Sequence, residues 1–399
     1  MGFFFGRYGR ALVGLKMARM DYDFVIVGAG IAGASVAAEL ALRGRTLVLE
    51  REAQPGHHTT GRSAAVFAES YGPPVIRALT RASRTFLAQP PASFGLPSLI
   101  RPLGALFIAE PGQQALLDEA AAVFAREAPS IRRIGSAEAI KLLPVLRPER
   151  VLGALIDPDT ADIDVHALHQ GLLRQGRAAG GQLRCAAEVV ALRPLAGGWQ
   201  LRLGPDGETL TARVVVNAAG AWGDVLAGLA GVAPLGLQPR RRSAFVFAPP
   251  PGVDHHGWPM AIGIDKSWYL KPDAGQLLAS PANADPVAAH DVQPEELDIA
   301  LGIHRLQQMT TLAVRRPSRS WAGLRSFVAD GGPVAGFDDH APGFFWLVGQ
   351  GGYGIQTTPA LGRAAAALAC GEPLPDDLLA QGVSVAALAP GRLRGGPAG

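Results

Sequence analysis

The stretch Asp21–Arg51, DYDFVIVGAGIAGASVAAELALRGRTLVLER, decides the fold. Phe24–Val27 is a short apolar run of the kind that is buried on both faces of a parallel sheet. Gly28-Ala29-Gly30-Ile31-Ala32-Gly33 follows and matches G-x-G-x-x-G. Gly28 permits the tight turn, Gly30 lets the backbone approach a pyrophosphate, and Gly33 lets the next helix lie close on the strand. Ala34–Arg43 is Ala-rich and predicts that helix, with Gly44 where a C-terminal cap belongs. A second apolar run, Thr46–Leu49, ends in Glu50, 22 residues after Gly28. A carboxylate there accepts hydrogen bonds from an adenosine ribose. With 50 glycines in 399 residues, glycines alone would say little. Strand, turn, helix, strand and acid in that order point to a dinucleotide site, without distinguishing one dinucleotide from another.

Length suggests two or three domains, and 48% hydrophobic with 18% charged residues is an ordinary globular composition. A net charge of +3 is too small to argue for a polyanionic partner, so no nucleic acid is expected. The two cysteines, Cys185 and Cys370, have neither C-x-x-C nor zinc-like spacing, which fits a reducing, cytoplasmic setting. No run reaches the roughly 18 apolar residues of a membrane span, so membrane association is at most peripheral. Residues 1–20 carry four basic residues and several aromatics. They fit an interfacial anchor or an upstream extension with Met17 or Met20 as the natural start; the extension is preferred.

Beyond Glu50 and Arg51, the loop holds His57-His58, which have no third ligand near them in sequence and are not read as a metal site. Thr59–Ala65 is a run of small and hydroxyl residues suited to lie along a planar ligand. Helices are expected at Pro74–Leu87, Gln113–Arg126, Ser136–Leu143 (with Ser136 and Glu138 as a capping arrangement), Val165–Ala179 and Pro294–Thr310. The acidic turn Asp157–Asp164 fails the calcium-loop pattern and suits a helix N-terminus. Strands are expected at Leu103–Ala109, Gln182–Leu192, Trp199–Leu203 and Leu210–Val216, with a turn at Pro205-Asp206-Gly207. The last of these strands runs into Asn217-Ala218-Ala219-Gly220. A mostly antiparallel second sheet is read from Gln238–Phe247, Trp258–Ile264, Ser267–Lys271 and Gln276–Ser280. Arg325–Phe327 is read as leading back to the nucleotide domain. Strand Phe344–Val348 feeds a glycine loop, Gly349–Thr357, and a helix Pro359–Cys370, a second anion-binding arrangement. The Gly/Arg/Pro-rich tail after Pro390 is expected to be disordered.

GAGIAGAS…VLERE, TTGRSAA, VVNAAGAW and GQGGYGIQT together resemble the FAD-dependent D-amino acid oxidase superfamily, from about Asp21 to Gly371. REAQPG, YLKPD, SPANADP and AGLRSF are similar to its D-arginine dehydrogenase branch. The resemblance implies an α/β FAD-binding domain of Rossmann type and a second, α+β, mixed-sheet substrate domain. The FAD domain would draw on 21–95, 156–237 and 325–388, and the substrate domain on 96–155 and 238–324. A 1–20 extension and a 389–399 tail complete the chain.

It further implies that Gly28, Gly30 and Gly33 hold the pyrophosphate of a non-covalent FAD, and Glu50 with Arg51 its ribose side. Thr60, Gly61, Ser63, Ala64 and Ala65 would line flavin and phosphates. Val189, Ala219 and Gly220 would enclose the adenine, and Tyr353, Gly354, Ile355 and Gln356 the pyrimidine end of the flavin. Arg242, Arg325, Tyr269, Tyr71 and Gly352 would form the substrate site, where a forked guanidinium suits an α-carboxylate. The implied reaction is oxidative deamination of a D-amino acid by hydride transfer from Cα to the flavin, giving an imino acid, then a 2-oxo acid and ammonia. Quinone or oxygen would accept the electrons. A glycine- or sarcosine-type amine oxidase and a non-catalytic electron-transfer flavoprotein are the alternatives. The chain departs from the arginine-preferring pattern in lacking a carboxylate at Ala105 and in having Val66 where a histidine is usual. Neutral, hydrophobic side chains are therefore expected to be preferred, with Glu69 or Glu110 as the residues that would restore an acid.

Overall fold

The computed structural model describes residues 20–204 and 207–394. The reading of residues 1–19 and the Pro205-Asp206 part of the expected turn lie outside them. The first sheet is built around Tyr22–Val27, which pairs in parallel with Thr46–Leu49 on one side and Thr209–Asn217 on the other. Gln182–Arg184 extends it in parallel beyond Thr46–Leu49. On the free edge of Thr209–Asn217, the meander strand Gly198–Leu203 pairs with the first half and Phe344–Val348 with the second. The parallel strands are apolar on both faces because both are covered: Val25, Ile26, Val215, Val216 and all five residues of Phe344–Val348 are fully buried. Helices Ile31–Leu40, Pro74–Ala88, Val165–Ala178 and Gly354–Ala369 pack together on one side, where small residues allow close approach. A Cβ on Gly362 would meet Ser35 at 2.8 Å.

The second sheet runs from Asp285–Pro286 through 238–247, 276–280, 269–273, 260–263, 105–109 and 153–157 to 132–135. Strand Arg319–Phe327 pairs with Gln238–Val246. All pairs are antiparallel except Met260–Gly263 with Ala105–Ala109. A small third sheet joins Val66–Phe67, Ala161–Ile163 and Ile100–Pro102. This is the mixed α/β architecture the motifs imply.

Several local readings are corrected. The first helix spans Ile31–Leu40, three residues early, because Gly30 caps it; Gly44 closes a following turn by donating to Leu40 and is not the cap. Gln182–Leu192 is two strands, Gln182–Arg184 and Val189–Leu195, that pair with opposite edges of the sheet. The break at Cys185–Glu188 folds back on Glu50 and Glu52, with Ala186 in a left-handed conformation (φ 49°). Gly135 precedes helix Ser136–Leu142, and no side chain caps it. Arg325–Phe327 is the end of a strand of the second sheet, so the expected boundary at 324/325 falls inside that strand. The last long helix starts at Gly354 and carries Pro359 within it, five residues past its start; proline is most readily taken for a helix start. The tail as far as Arg394 is ordered: Pro390 is buried, Arg392 pairs with Asp330, and Arg394 with Asp338.

Candidate active site

A cavity of about 1170 Å³ runs between the carboxyl edge of the first sheet and one face of the second. One end is built on Gly28–Gly33. A Cβ on Gly28, at φ 109°, would lie 2.5 Å from the Ala218 carbonyl oxygen, and one on Gly33 would lie 1.9 Å from that of Gly28. No side chain fits either position, and the backbone at Gly28 and Gly30 lines the cavity. The buried Glu50 carboxylate is oriented by N–H donors from Ala29 (2.9 Å) and Glu52 (3.0 Å), leaving its remaining lone pairs for hydroxyl donors in the cavity. Thr60 accepts from the Ile31 amide at 2.9 Å and ties the hydroxyl loop to the helix start. Arg51 stacks over Trp222, 4.0 Å from its ring centroid, and His58 packs on the same indole. Val189, Ala219 and Gly220 lie on the cavity wall with Trp222.

Gly33 and Gly61 do not line the cavity. Gly33 serves packing, as its spacing implies. Gly61 is turned away because its amide donates to Gly56 at 2.8 Å, where a Cβ would clash at 2.6 Å. Ser63, Ala64 and Ala65 do line it. The histidine pair is also corrected: Glu52 accepts from His58 Nε2 at 2.9 Å, and Glu52, His57 and His58 form one cluster. The arginines Arg51 and Arg62 already pair with Glu52 and the neighbouring Asp291, so these carboxylates have counter-charges.

The other end of the cavity is formed by strand alternation. Arg242 lies opposite Gly323 and Arg325 opposite Arg240, so Arg242 and Arg325 are diagonal neighbours on one face. The intervening Arg241 points the other way, buried among Asp285, Glu295 and Asp298. Arg242 Nε donates to the Asn283 carbonyl at 2.6 Å, and its guanidinium meets the Tyr269 hydroxyl. Arg325 donates to the Tyr71 hydroxyl at 3.1 Å. Burial and the neighbouring Arg325 push the Arg242 pKa down. Burial raises the Tyr71 hydroxyl, but the two guanidiniums outweigh it and hold it below the ordinary phenol value. Burial and Tyr71 push Tyr353 up. Gly354, Ile355 and Gln356 form the first turn of a helix facing the cavity. Val66, Ala105, Phe107, Met260 and Ile262 form an apolar wall beside these groups. Glu69 and Glu110, the two acids considered for the wall, pair instead with Arg84 and Arg150. Trp222, Phe107, Ile262 and Lys266 escaped the sequence reading. Trp222 was visible at the end of the Asn217–Trp222 run; the others carry no local signal.

The residues fit a long, polar-ended planar dinucleotide. Three fully buried side-chain atoms on the cavity wall, Thr160 Oγ1, Ser326 Oγ and Gln356 Nε2, have no partner among the described residues. These atoms are closed off from the cavity space, so the fit is carried by groups that line it, the Gly28 and Gly30 backbone for a pyrophosphate and Glu50 for a ribose. Fold and cavity define a protein of two main sheets with a dinucleotide-type site. The chain belongs to the FAD dependent oxidoreductase (DAO) family, whose model matches residues 23–368. FAD is its cofactor.

A glycine oxidase of Geobacillus kaustophilus is 25% identical over 367 residues, covering 87% of this chain and 92% of its own. The FAD-dependent oxidoreductase domain-containing protein 1 of Bos taurus is 25% identical over 86% of this chain and 80% of its own. Among solved structures, the G. kaustophilus glycine oxidase superposes with TM-score 0.78 at 23% identity, covering 89% of this chain and 96% of its own. An unusual amino acid oxidase essential for nikkomycin biosynthesis gives 0.78 at 21%, covering 92% and 97%. These likenesses support the fold, and the family is one of FAD-dependent oxidoreductases.

Proposed function

We propose that the protein catalyses FAD-dependent oxidative deamination of D-amino acids with neutral, hydrophobic side chains. The observation that carries this is the convergence of Arg242, Arg325, Tyr71 and Tyr269 at one end of a cavity whose adjoining wall is apolar. Two guanidiniums on neighbouring strands repel each other, and an α-carboxylate between them relieves that repulsion through charge-assisted hydrogen bonds. Tyr71 and Tyr269 add hydroxyl donors and limit the carboxylate to one orientation. The substrate side chain then lies along Val66, Ala105, Met260 and Ile262. Apolar atoms there gain roughly 25 cal/mol per Å² buried. A cationic side chain would lose water and find no carboxylate among Val66, Ala105, Phe107, Met260 and Ile262.

When bound, FAD supplies the two-electron oxidation of the Cα–N bond. The chain binds, orients and excludes water. The imino acid product hydrolyses to a 2-oxo acid and ammonia. The sequence similarity of YLKPD, SPANADP and AGLRSF to the D-arginine dehydrogenase branch supports the D-configuration. The glycine oxidases among the relatives favour a second reading, a glycine- or sarcosine-type oxidase.

Anaerobic bleaching of the flavin across D- and L-amino acids, glycine and sarcosine tests both. Reduction by D-Leu, D-Met or D-Phe ahead of D-Arg and D-Lys, and ahead of glycine and sarcosine, is expected. Reduction by glycine or sarcosine alone would establish the second reading, and D-Arg as the best substrate by a wide margin would refute the side-chain preference.

A further inference from the structure

Lys266 has no role in the binding scheme above. It lies in the turn between Met260–Gly263 and Tyr269–Asp273 and lines the same cavity as Arg242, Arg325 and Tyr71. Its backbone sits at φ 59°, in the left-handed region where glycine is the unstrained residue. The turn is closed by its own amide, which donates to the Gly263 carbonyl at 2.8 Å. Lys266 is exposed, and its ammonium has no hydrogen-bond or ion-pair partner among the described residues. Lys271, five residues on, is buried and held by Asp162 and Asp273. After Arg325 and Arg242, Lys266 is the next cation acting on the Tyr71 hydroxyl.

The acids lining the cavity do not neutralise this group. Glu50 is bonded by backbone amides at the dinucleotide end, Glu127 pairs with Arg77, and Glu188 adjoins Val189 at the adenine side. Glu119, on the helix Gln114–Glu127, remains as one carboxylate against three cations. A substrate held by its α-carboxylate on Arg242 and Arg325 would run its side chain along the apolar wall. It would meet an unpaired positive charge where a long side chain ends.

We infer that Lys266 is a second anion-recognition point, which favours a side chain ending in a carboxylate over its neutral polar isostere and repels cationic ones, alongside the preference of the apolar wall for hydrophobic side chains. The class it would admit beside the hydrophobic amino acids is an α-amino dicarboxylate of glutamate length or longer. The inference rests on the carboxylate site assigned above to Arg242 and Arg325.

Its test is binding of two non-reacting acids of equal chain length, glutarate and pentanoate, to the FAD-loaded protein, followed by perturbation of the flavin's visible spectrum. The parent should prefer glutarate by about fivefold, as suits a partly solvated ion pair, and added salt should shrink the difference. Lys266→Met should abolish the preference and Lys266→Glu should invert it. In turnover, the ratio of kcat/KM for D-Glu to that for D-Gln should fall in the same order. Equal binding of the two acids by the parent, or a glutarate preference that survives Lys266→Met, overturns the assignment of Lys266 alone. If neither acid binds the parent, the Arg242–Arg325 site is misplaced and the Lys266 inference fails with it.

Discussion

The Arg325 guanidinium lies directly against the backbone of Gly352: a Cβ built on Gly352 would fall 1.9 Å from Arg325 Nη2. The second sheet supplies the charge and the glycine loop of the first supplies the surface it rests on. Gly352→Ala should therefore mimic Arg325→Met by displacing the same guanidinium. Either substitution, and Arg242→Met, should weaken substrate binding by roughly 2–5 kcal/mol while leaving FAD content intact. Rapid-reaction measurement of flavin reduction against substrate concentration gives the dissociation constants. An Arg325→Met protein that saturates like the parent would show that the carboxylate is bound elsewhere.

FAD should be held without a covalent bond. Cys185 lies in the bend that folds back on Glu50, and Cys370 ends the helix Gly354–Ala369; neither lines the cavity. Burial pushes both thiols up, away from the thiolate form. Acid precipitation should leave the yellow colour in the supernatant; colour in the pellet would contradict this.

His169 should make stability and cofactor retention fall in mild acid. It is buried, its Nε2 lies 2.9 Å from the Ala29 carbonyl in the glycine turn, and its Cε1 would be 2.9 Å from a Cβ on Gly56. Burial lowers its pKa below the ordinary 6.5. Above that value both folded and unfolded states hold it neutral. As pH falls through it, the unfolded chain takes up a proton that the folded one does not, so stability is lost toward the depressed folded pKa. His58, also lowered by burial, acts in the same sense. His169→Gln keeps an N–H donor without titrating and should flatten the dependence of Tm on pH between about pH 7 and 5. An unchanged slope would assign that dependence to other groups.

Ala105→Glu should move the substrate preference toward cationic side chains. Ala105 faces the cavity from a strand paired with Met260–Gly263, so the carboxylate would enter the apolar wall. A desolvated ion pair there should raise the kcat/KM ratio of D-Arg to D-Leu by about one order of magnitude or more. A ratio that does not rise would mean that the side chain does not run past residue 105.

The dinucleotide end was legible because its information is local: three glycines, an acid and two apolar runs within thirty residues. The substrate end was named only through the family resemblance. Arg242 and Arg325 are 83 positions apart in sequence, and only strand pairing makes them neighbours. Within the run Arg240-Arg241-Arg242, period-two alternation sends Arg241 into a buried acidic cluster and Arg242 into the cavity. Pro359 mis-set a helix start because a proline is cheapest in a first turn, and here it lies five residues past the start. Lys266 was invisible because the position calls for glycine on backbone grounds. The Cys185–Glu188 break depends on contacts with Glu50 and Glu52 from far upstream.

The diagonal placement of Arg242 and Arg325 also governs how a cycle would end. Oxidation at Cα leaves the carboxylate untouched, so the 2-oxo acid departs against the same two charges that captured its precursor. Release, rather than bond breaking, would then set the pace at saturation, and the keto acid should compete with its parent amino acid. Progress curves with added 2-oxo acid would reveal this as competitive inhibition, relieved in Arg242→Met. The same charges would make carboxylate buffers such as acetate act as inhibitors, a practical reason to assay the protein in amine or phosphate-free zwitterionic buffers.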